Sequence, residues 1–243
     1  MQENIFLSII IPAYNEEVNI GATLDEVAEY LKGKDYLYEV IVIDDGSLDD
    51  TIGKAEEKKH DFNTLNIISS TPNRGKGYVV REAVLASSGT YVMFMDADNS
   101  TSIKELDAFL PYLEEGYDAV IGSRRLKESD VVVPESIMRV CLGNIYILLS
   151  KIFLGSKVSD FNCGFKAYNR CVAKKVFSIQ HMEDWSFDTE IIFLLTKFGM
   201  KIKEVPVRWA HKADSKVKPL QAGIASFLSL IKIKINDLRG LYK

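Results

Sequence analysis

Across its first half the chain alternates short apolar runs with segments of helical periodicity, and few folds accommodate that pattern. Leu7–Ile11, closed by Pro12, and Val40–Ile43 read as strands buried on both faces. Leu65–Ser69, Tyr91–Met95 and Ala119–Gly122 read as the next three strands. Between them, Glu16–Leu31 (apolar at Ile20, Leu24, Val27 and Leu31), Asp50–His60, Gly77–Ala86 and Ile103–Leu113 read as helices. Repeated strand–helix units imply a mainly parallel sheet flanked by helices. Ligands in such sheets bind beyond the carboxyl ends of the strands. Those ends carry Pro12-Ala13-Tyr14-Asn15-Glu16, Asp44-Asp45-Gly46-Ser47 and Asp96-Ala97-Asp98, so the three polar clusters are expected to meet at one edge.

The second half is less regular. Arg124–Pro134 reads as a loop, Gly164–Tyr168 and Ile202–Val207 as strands, Asp188–Phe198 as a helix and Leu220–Ile235 as a final amphipathic helix. Met138–Leu154 is apolar but interrupted by Gly143, Asn144, Ser150 and Lys151, short of a comfortable membrane span. With no repeat and no clear linker, one domain spanning 1–243 is expected.

Composition narrows the function classes. At 47% hydrophobic and 26% charged the chain is no disordered polymer, and three cysteines without metal-ligand spacing fit a reducing, cytosolic setting. Met1–Phe6 has no signal-peptide character. A net charge of −4 argues against general nucleic-acid binding. Yet from Lys197 onward eleven Lys and Arg face only Glu204, Asp214 and Asp237, a net +8 that suits an anionic partner such as phosphate or a lipid surface, or else a solvated basic face.

Chemistry-bearing residues lie at the strand ends. Asp96 and Asp98, two apart on an extended segment, point the same way and offer hard oxygen ligands suited to Mg²⁺ or Mn²⁺ shared with a diphosphate. Asp44-Asp45-Gly46-Ser47 combines a tight turn with a carboxylate, Asp45 by preference, that could take hydrogen bonds from a ribose or base; an Asx turn alone would explain Asp44. Asn73-Arg74-Gly75-Lys76-Gly77 precedes a helix and could cradle an anion, with Lys76 reaching phosphate, or be a simple turn. An aspartyl phosphatase would also use Asp-x-Asp, but on its first strand and with Thr or Val at the position of Ser100. A silent sugar-nucleotide binder is the other rival class.

The run Ile9-Ile10-Ile11-Pro12-Ala13-Tyr14-Asn15-Glu16, then Asp44-Asp45-Gly46-Ser47, then Asp96-Ala97-Asp98 resembles the family 2 glycosyltransferases. Gly122-Ser123-Arg124, Asp160–Lys166 and Ser215-Lys216-Val217 are similar to the polyprenyl-phosphate hexosyltransferase branch. Within it, Cys163–Lys166, Trp185–Glu190 and the ending Ile233–Tyr242 resemble dolichyl-phosphate β-glucosyltransferases more than mannosyltransferases.

The resemblance implies a GT-A, Rossmann-like α/β fold, with 1–123 binding a nucleotide sugar and 124–243 binding the acceptor. It implies that Pro12, Ala13, Tyr14, Glu16, Asp45, Lys76, Asp96, Ala97 and Lys216 line the nucleotide-sugar site. Asp96 and Asp98 would hold Mg²⁺ or Mn²⁺, and Asp98, Arg124, Arg139 and Asp160 would act in catalysis, with Arg124, Arg139 and Lys216 on phosphates. Asp188 and Glu190 would shape the sugar and acceptor site, or else serve as ion pairs or caps. Ser100 stands where mannosyltransferases of this group often carry Gln, which leaves a hydroxyl or water to complete a metal shell. The implied reaction is inverting transfer of a hexose, UDP-glucose favoured, to a polyprenyl or dolichyl phosphate. The alternatives are GDP-mannose as donor and another glycan as acceptor. Ile224, Phe227, Leu228, Ile231 and Ile235, with Lys232 and Lys234 snorkelling, suggest an interfacial helix, and Val140–Leu154 a second. A peripheral enzyme on the cytoplasmic membrane face is expected.

Overall fold

The structure is a computed structural model. It describes residues 4–132, 137–210 and 219–243, and within its helices the side chains of 137–139, 141 and 219–224 are outside the described set. The elements in chain order are β1 (Leu7–Ala13), α1 (Ile20–Leu31), β2 (Tyr38–Asp44), α2 (Thr51–Glu56), β3 (Leu65–Ser69), α3 (Lys76–Ala86), β4 (Tyr91–Phe94), α4 (Leu110–Glu114) and β5 (Ala119–Ser123). There follow β6 (Asp130–Val131), α5 (Ile137–Leu154), β7 (Lys166–Asn169), α6 (Arg170–Ser178), α7 (Phe187–Lys197), β8 (Ile202–Pro206), β9 (Arg208–Trp209) and α8 (Pro219–Leu238).

One seven-stranded sheet, in the order β3-β2-β1-β4-β7-β5-β8, draws on both halves of the chain. β7 runs antiparallel to β4 and β5, while the other neighbouring pairs are parallel. Every residue of β1 is buried, as expected for a central strand covered on both faces. Its side chains alternate: Ile10 joins the core under α3, α6, α7 and α8, whereas Ile9 and Ile11 join the core under α1.

The reversal of β7 matters for the site. Six strands end at the edge where the polar clusters lie, and β7 begins there. Lys166, its first residue, sits between Phe94 of β4 and Ile121 of β5 in the register. The preceding loop, Asp160–Phe165, is thereby delivered to the same edge.

Several expected boundaries move. The helix expected from Glu16 starts at Ile20, because Asn15 adopts φ +54° and the amides of Glu16 and Glu17 are tied to Thr51 and Asp49. Asp50–His60 splits into α2 and a 3₁₀ turn at Lys59–Asp61. Ile103–Leu113 is a 3₁₀ segment, Ile103–Ala108, followed by α4, with Pro111 in its first turn where a missing N–H costs nothing. α6 was not expected; Asn169 caps it by accepting from the Cys171 amide at 3.0 Å. The loop after β5 contains β6, which pairs with β9.

Candidate active site

The first two strand ends are stitched together. The Asp45 amide donates to the Ala13 carbonyl at 2.9 Å, the Asn15 amide to Ser47 Oγ at 2.9 Å, and the Leu48 amide to Asn15 Oδ1 at 2.8 Å. Asp44 closes its own turn by accepting from the Gly46 and Ser47 amides and from the Ser47 hydroxyl, and Gly46 supplies the φ of +76° that this turn needs. Pro12 and Ala13 are buried beneath the turn, whereas Tyr14 is 44% exposed and Glu16 half-buried.

Asp45 is only 3% exposed. Its two oxygens accept from the amides of Arg74 and Gly75, both at 2.8 Å. The carboxylate thus clamps the loop before α3 to the end of β2. The same loop departs from the expected anion cradle. The Arg74 and Gly75 amides are taken by Asp45 and that of Tyr78 by the Glu183 carbonyl. Its glycines answer to packing: a Cβ on Gly75 would meet the Glu183 carbonyl oxygen at 2.5 Å, and one on Gly77 the Met182 carbonyl oxygen at 2.7 Å.

From this clamped loop Lys76 reaches across to Asp96 and forms a close ion pair with Oδ1. Burial would pull the Lys76 ammonium down, but Asp96, Asp188 and Asp98 together carry it above the ordinary lysine value. Asp96 lies directly over Gly164: a Cβ there would fall 2.0 Å from Asp96 Oδ2. Glycine at 164 is therefore what lets the β7 loop pass beneath this carboxylate. Asp98 is half-buried, and its Oδ1 accepts from the Ser100 amide at 2.9 Å. Ala97 between them is buried, its carbonyl accepting from the Thr23 hydroxyl at 2.7 Å.

Two further ion pairs frame the site. Arg124, at the end of β5, donates Nε and Nη2 to Asp160 at 2.7 and 2.9 Å, and its amide donates to the same carboxylate at 3.0 Å. Asp160 is 2% exposed. Burial alone would raise its pKa, but the Arg124 charge and hydrogen bonds outweigh that and hold it below the usual carboxylate range. Glu204 of β8 accepts from the Asp160 amide at 3.3 Å and the Ser159 amide at 2.8 Å, and the Arg124 guanidinium lies 5.2 Å from the Trp209 ring centroid. Asp160 thus orients a forked cation.

The second pair is deeper. Lys166 is fully buried; its ammonium donates to Asp188 and to the carbonyls of Phe161 and Cys163 at 3.0 and 2.7 Å. Burial raises the Asp188 pKa against the pull of Lys166 and Lys76. Sequence reasoning placed Lys166 in a motif without seeing its role. A lysine opening a strand among Phe161, Cys163 and Phe165 is the signal, since a buried ammonium demands this many acceptors.

A pocket of about 130 Å³ opens beside Lys76, Asp96 and Asp188, lined also by Tyr146 of α5, Asn162, Trp185, Ser186 and Ser226 of α8. The helices that close it turn apolar side chains outward: Ile145, Leu148 and Ile152 on α5, and Leu228, Ile235 and Leu238 on α8, all more than 40% exposed. Leu230 and Ile233 of α8 face the core. Lys232 is exposed, while Lys234 lies 5.1 Å from the Phe193 ring centroid rather than snorkelling. No helix among the described residues is long and apolar enough to cross a membrane.

Glu190 lies elsewhere. Fully buried, it accepts from the amides of His181 and Met182 and from the Tyr242 hydroxyl, so it ties the chain's end to the loop preceding α7. Of the two readings open for it, site-shaping or an ion pair or cap, its contacts are those of a cap on the His181 and Met182 amides. Arg139 has no described side chain, and Lys216 falls outside the described residues, as does the Ser215–Val217 motif.

The sequence pattern of glycosyl transferase family 2 matches residues 8–177. The chain belongs to that family. Among its relatives are the dolichyl-phosphate beta-glucosyltransferases of Dictyostelium discoideum (32% identical, covering 99% of this chain and 77% of that one), Drosophila melanogaster (34%, 98% and 77%) and Homo sapiens (30%, 98% and 77%). The fold matches mannosyl-3-phosphoglycerate synthase from Rubrobacter xylanophilus (TM-score 0.72, 18% identical, 97% of this chain and 75% of that chain). It also matches glucosyl-3-phosphoglycerate synthase from Mycobacterium tuberculosis, crystallised with Mn²⁺ and UDP-glucose (TM-score 0.67, 20%, 93% and 79%). The architecture is thus the GT-A α/β fold, and the chain is a glycosyltransferase.

In this family 2 enzyme the donor set at the fourth strand end is two carboxylates. No cluster of three or more acidic, His or Cys residues able to hold a metal occurs among the described residues. Two carboxylates alone would suit a hard divalent cation only if a bound diphosphate and water completed its ligands. The Lys76 ammonium already shows that a cation is drawn to Asp96, with Asp98 adding to the pull.

Proposed function

We propose that this family 2 glycosyltransferase moves glucose from UDP-glucose to a polyprenyl phosphate of the dolichyl type, with inversion at the anomeric carbon. The observation that carries the reading is the convergence of Lys76, Asp96, Asp98 and the Arg124–Asp160 fork at one sheet edge, beside a pocket closed by two helices with apolar outer faces. The relatives' names supply the substrate class, and the β product they specify from an α-linked nucleotide sugar means inversion.

The chemistry follows from where charge develops. As the bond to the sugar breaks, the diphosphate gains charge and the anomeric carbon becomes electron-poor. Asp96 and Asp98 would hold Mg²⁺ or Mn²⁺, which when bound supplies charge neutralisation at the diphosphate. Lys76, kept protonated by its acidic neighbours, adds its ammonium to the same group. Pro12, Ala13, Tyr14 and Glu16, with the Asp45-clamped turn, line the nucleotide side. Arg124, held in one orientation by Asp160, would bring its guanidinium to a phosphate, the role the family resemblance also implies for Arg139 and Lys216. The attacking oxygen is that of a phosphate monoester, whose second pKa is about 6, so it is largely ionised at neutral pH and needs no strong general base. The site then needs only to position it on the face opposite the leaving group.

The outward apolar residues of α5 and α8, with the basic C-terminal region, would seat the enzyme on the cytoplasmic face of a membrane and bring the acceptor phosphate to the pocket. In this reading residues 1–123 bind the nucleotide sugar, and the remainder binds the acceptor.

The test is a transfer assay with UDP-glucose, a short-chain polyprenyl phosphate and Mg²⁺ or Mn²⁺, with GDP-mannose and soluble glycan acceptors in parallel. The expected product is an acid-labile β-glucosyl lipid phosphate. Transfer from GDP-mannose alone, or only to a soluble glycan, would contradict the reading.

A further inference from the structure

Tryptophan is highly buried on average in folded proteins, and an exposed one needs a reason. Trp185 is 69% exposed and, among the described residues lining the pocket, is the one exposed aromatic. Its backbone is nevertheless fixed. On one side the Glu183 carbonyl accepts from the Tyr78 amide at 3.1 Å, and the Glu183 carboxylate pairs with Arg74 at 2.9 Å. On the other, the Ser186 amide donates to Asp184 at 2.8 Å, and the Ser186 hydroxyl bonds to that of Ser229 at 2.6 Å. An indole is thus projected to the pocket from a rigid base.

Its position relative to charge is specific. The Lys76 ammonium lies 4.9 Å from the Trp185 ring centroid while pairing with Asp96. In a nucleoside-diphosphate sugar the hexose is bonded directly to the diphosphate. If Lys76 holds that diphosphate, the sugar must lie within about one ring of it, where the indole is.

We infer that Trp185 is the platform on which the donor's hexosyl ring rests, making it a specificity-determining residue for the proposed reaction; the inference rests on that reading. A hexopyranose has an apolar C–H face and a hydroxyl rim. The indole would cover the face, with the Asn162 amide on the pocket wall available to the rim. The acceptor's isoprenoid is the wrong occupant. Lys76, Asp96 and Asn162 line the pocket, and a hydrocarbon chain would strip them of water without replacing its hydrogen bonds.

The experiment is calorimetric titration of the full chain with UDP and with UDP-glucose, in Mn²⁺, for the wild type, Trp185→Phe and Trp185→Ala. Circular dichroism checks that each variant keeps its fold, as expected at an exposed position. Trp185→Ala is expected to bind UDP within about two-fold of the wild type and to lose about ten-fold or more in UDP-glucose affinity, with Trp185→Phe recovering part of the loss. Parallel losses for both ligands, or no loss for either, would overturn the platform. So would a rise in KM for polyprenyl phosphate with the two nucleotide affinities unchanged. Failure of the wild type to take up any nucleotide sugar would instead overturn the parent reading, and this one with it.

Discussion

Asp96 and Asp98 stand just past a four-residue strand with part of each side chain open to solvent, whereas Asp160, Asp188 and Glu190 are 4% exposed or less and each is matched by protein donors. The first group has few internal partners to satisfy, so its charge is available to a ligand. The second group's charge is spent inside the protein, where it fixes the direction of Arg124, the depth of Lys166 and the anchorage of the C-terminal segment. Acidic residues on the same edge and nearby thus divide into those that act outward and those that hold others in place. The division follows from burial and donor count, because a buried carboxylate without donors would not persist as an ion.

Substitutions should separate the two groups. Asp98→Ala should lower transfer about 10²–10³-fold with little change in melting temperature, measured by lipid-product formation and thermal denaturation. Equal losses of activity and fold would erase the distinction. Asp160→Asn should do the reverse first, costing about 3 kcal/mol of stability in denaturant unfolding at neutral pH. Its pH dependence has a definite sign. The folded pKa is below the ordinary 3.8, so the ionised carboxylate's contribution is complete above about that pH and fades as pH falls through the lower folded value. The gap between wild type and Asp160→Asn should therefore close in acid. A gap that widened in acid would contradict the pairing with Arg124.

Tyr242→Phe removes one donor from buried Glu190 and should cost about 1–2 kcal/mol, read from thermal unfolding. A change under a few tenths would free the chain's end from this role. The smallest effect concerns the outer helix face. Leu148→Asp, at a 58% exposed position, should leave unfolding unchanged and weaken flotation with anionic liposomes containing polyprenyl phosphate by about five-fold. Unaltered flotation would remove α5 from the membrane contact.

Much of the outward-acting group could be read from the amino-acid order. Buried parallel strands leave an apolar signature, and whatever follows them must lie at one edge, which located Pro12–Glu16, Asp44–Ser47 and Asp96–Asp98. The inward-acting group was harder to read because its meaning depends on distant partners. Nothing near Gly164 announces that Asp96 will lie over it, and nothing near Asp45 announces that Arg74 and Gly75 will take both of its oxygens. The direction of β7 was equally hidden, since a four-residue strand carries no sign of which way it runs. α6 escaped notice because it is only nine residues long and its apolar Val172, Ala173, Val176 and Phe177 are split by Lys174 and Lys175, although the capping Asn169 was there to be seen.

The most direct test of the outward group is calorimetric titration of UDP with and without Mn²⁺, into wild type and Asp98→Ala. Mn²⁺ should strengthen UDP binding to the wild type, and most of that gain should vanish in the folded variant. Identical Mn²⁺ dependence in the two proteins would contradict the assignment of the strand-end carboxylates.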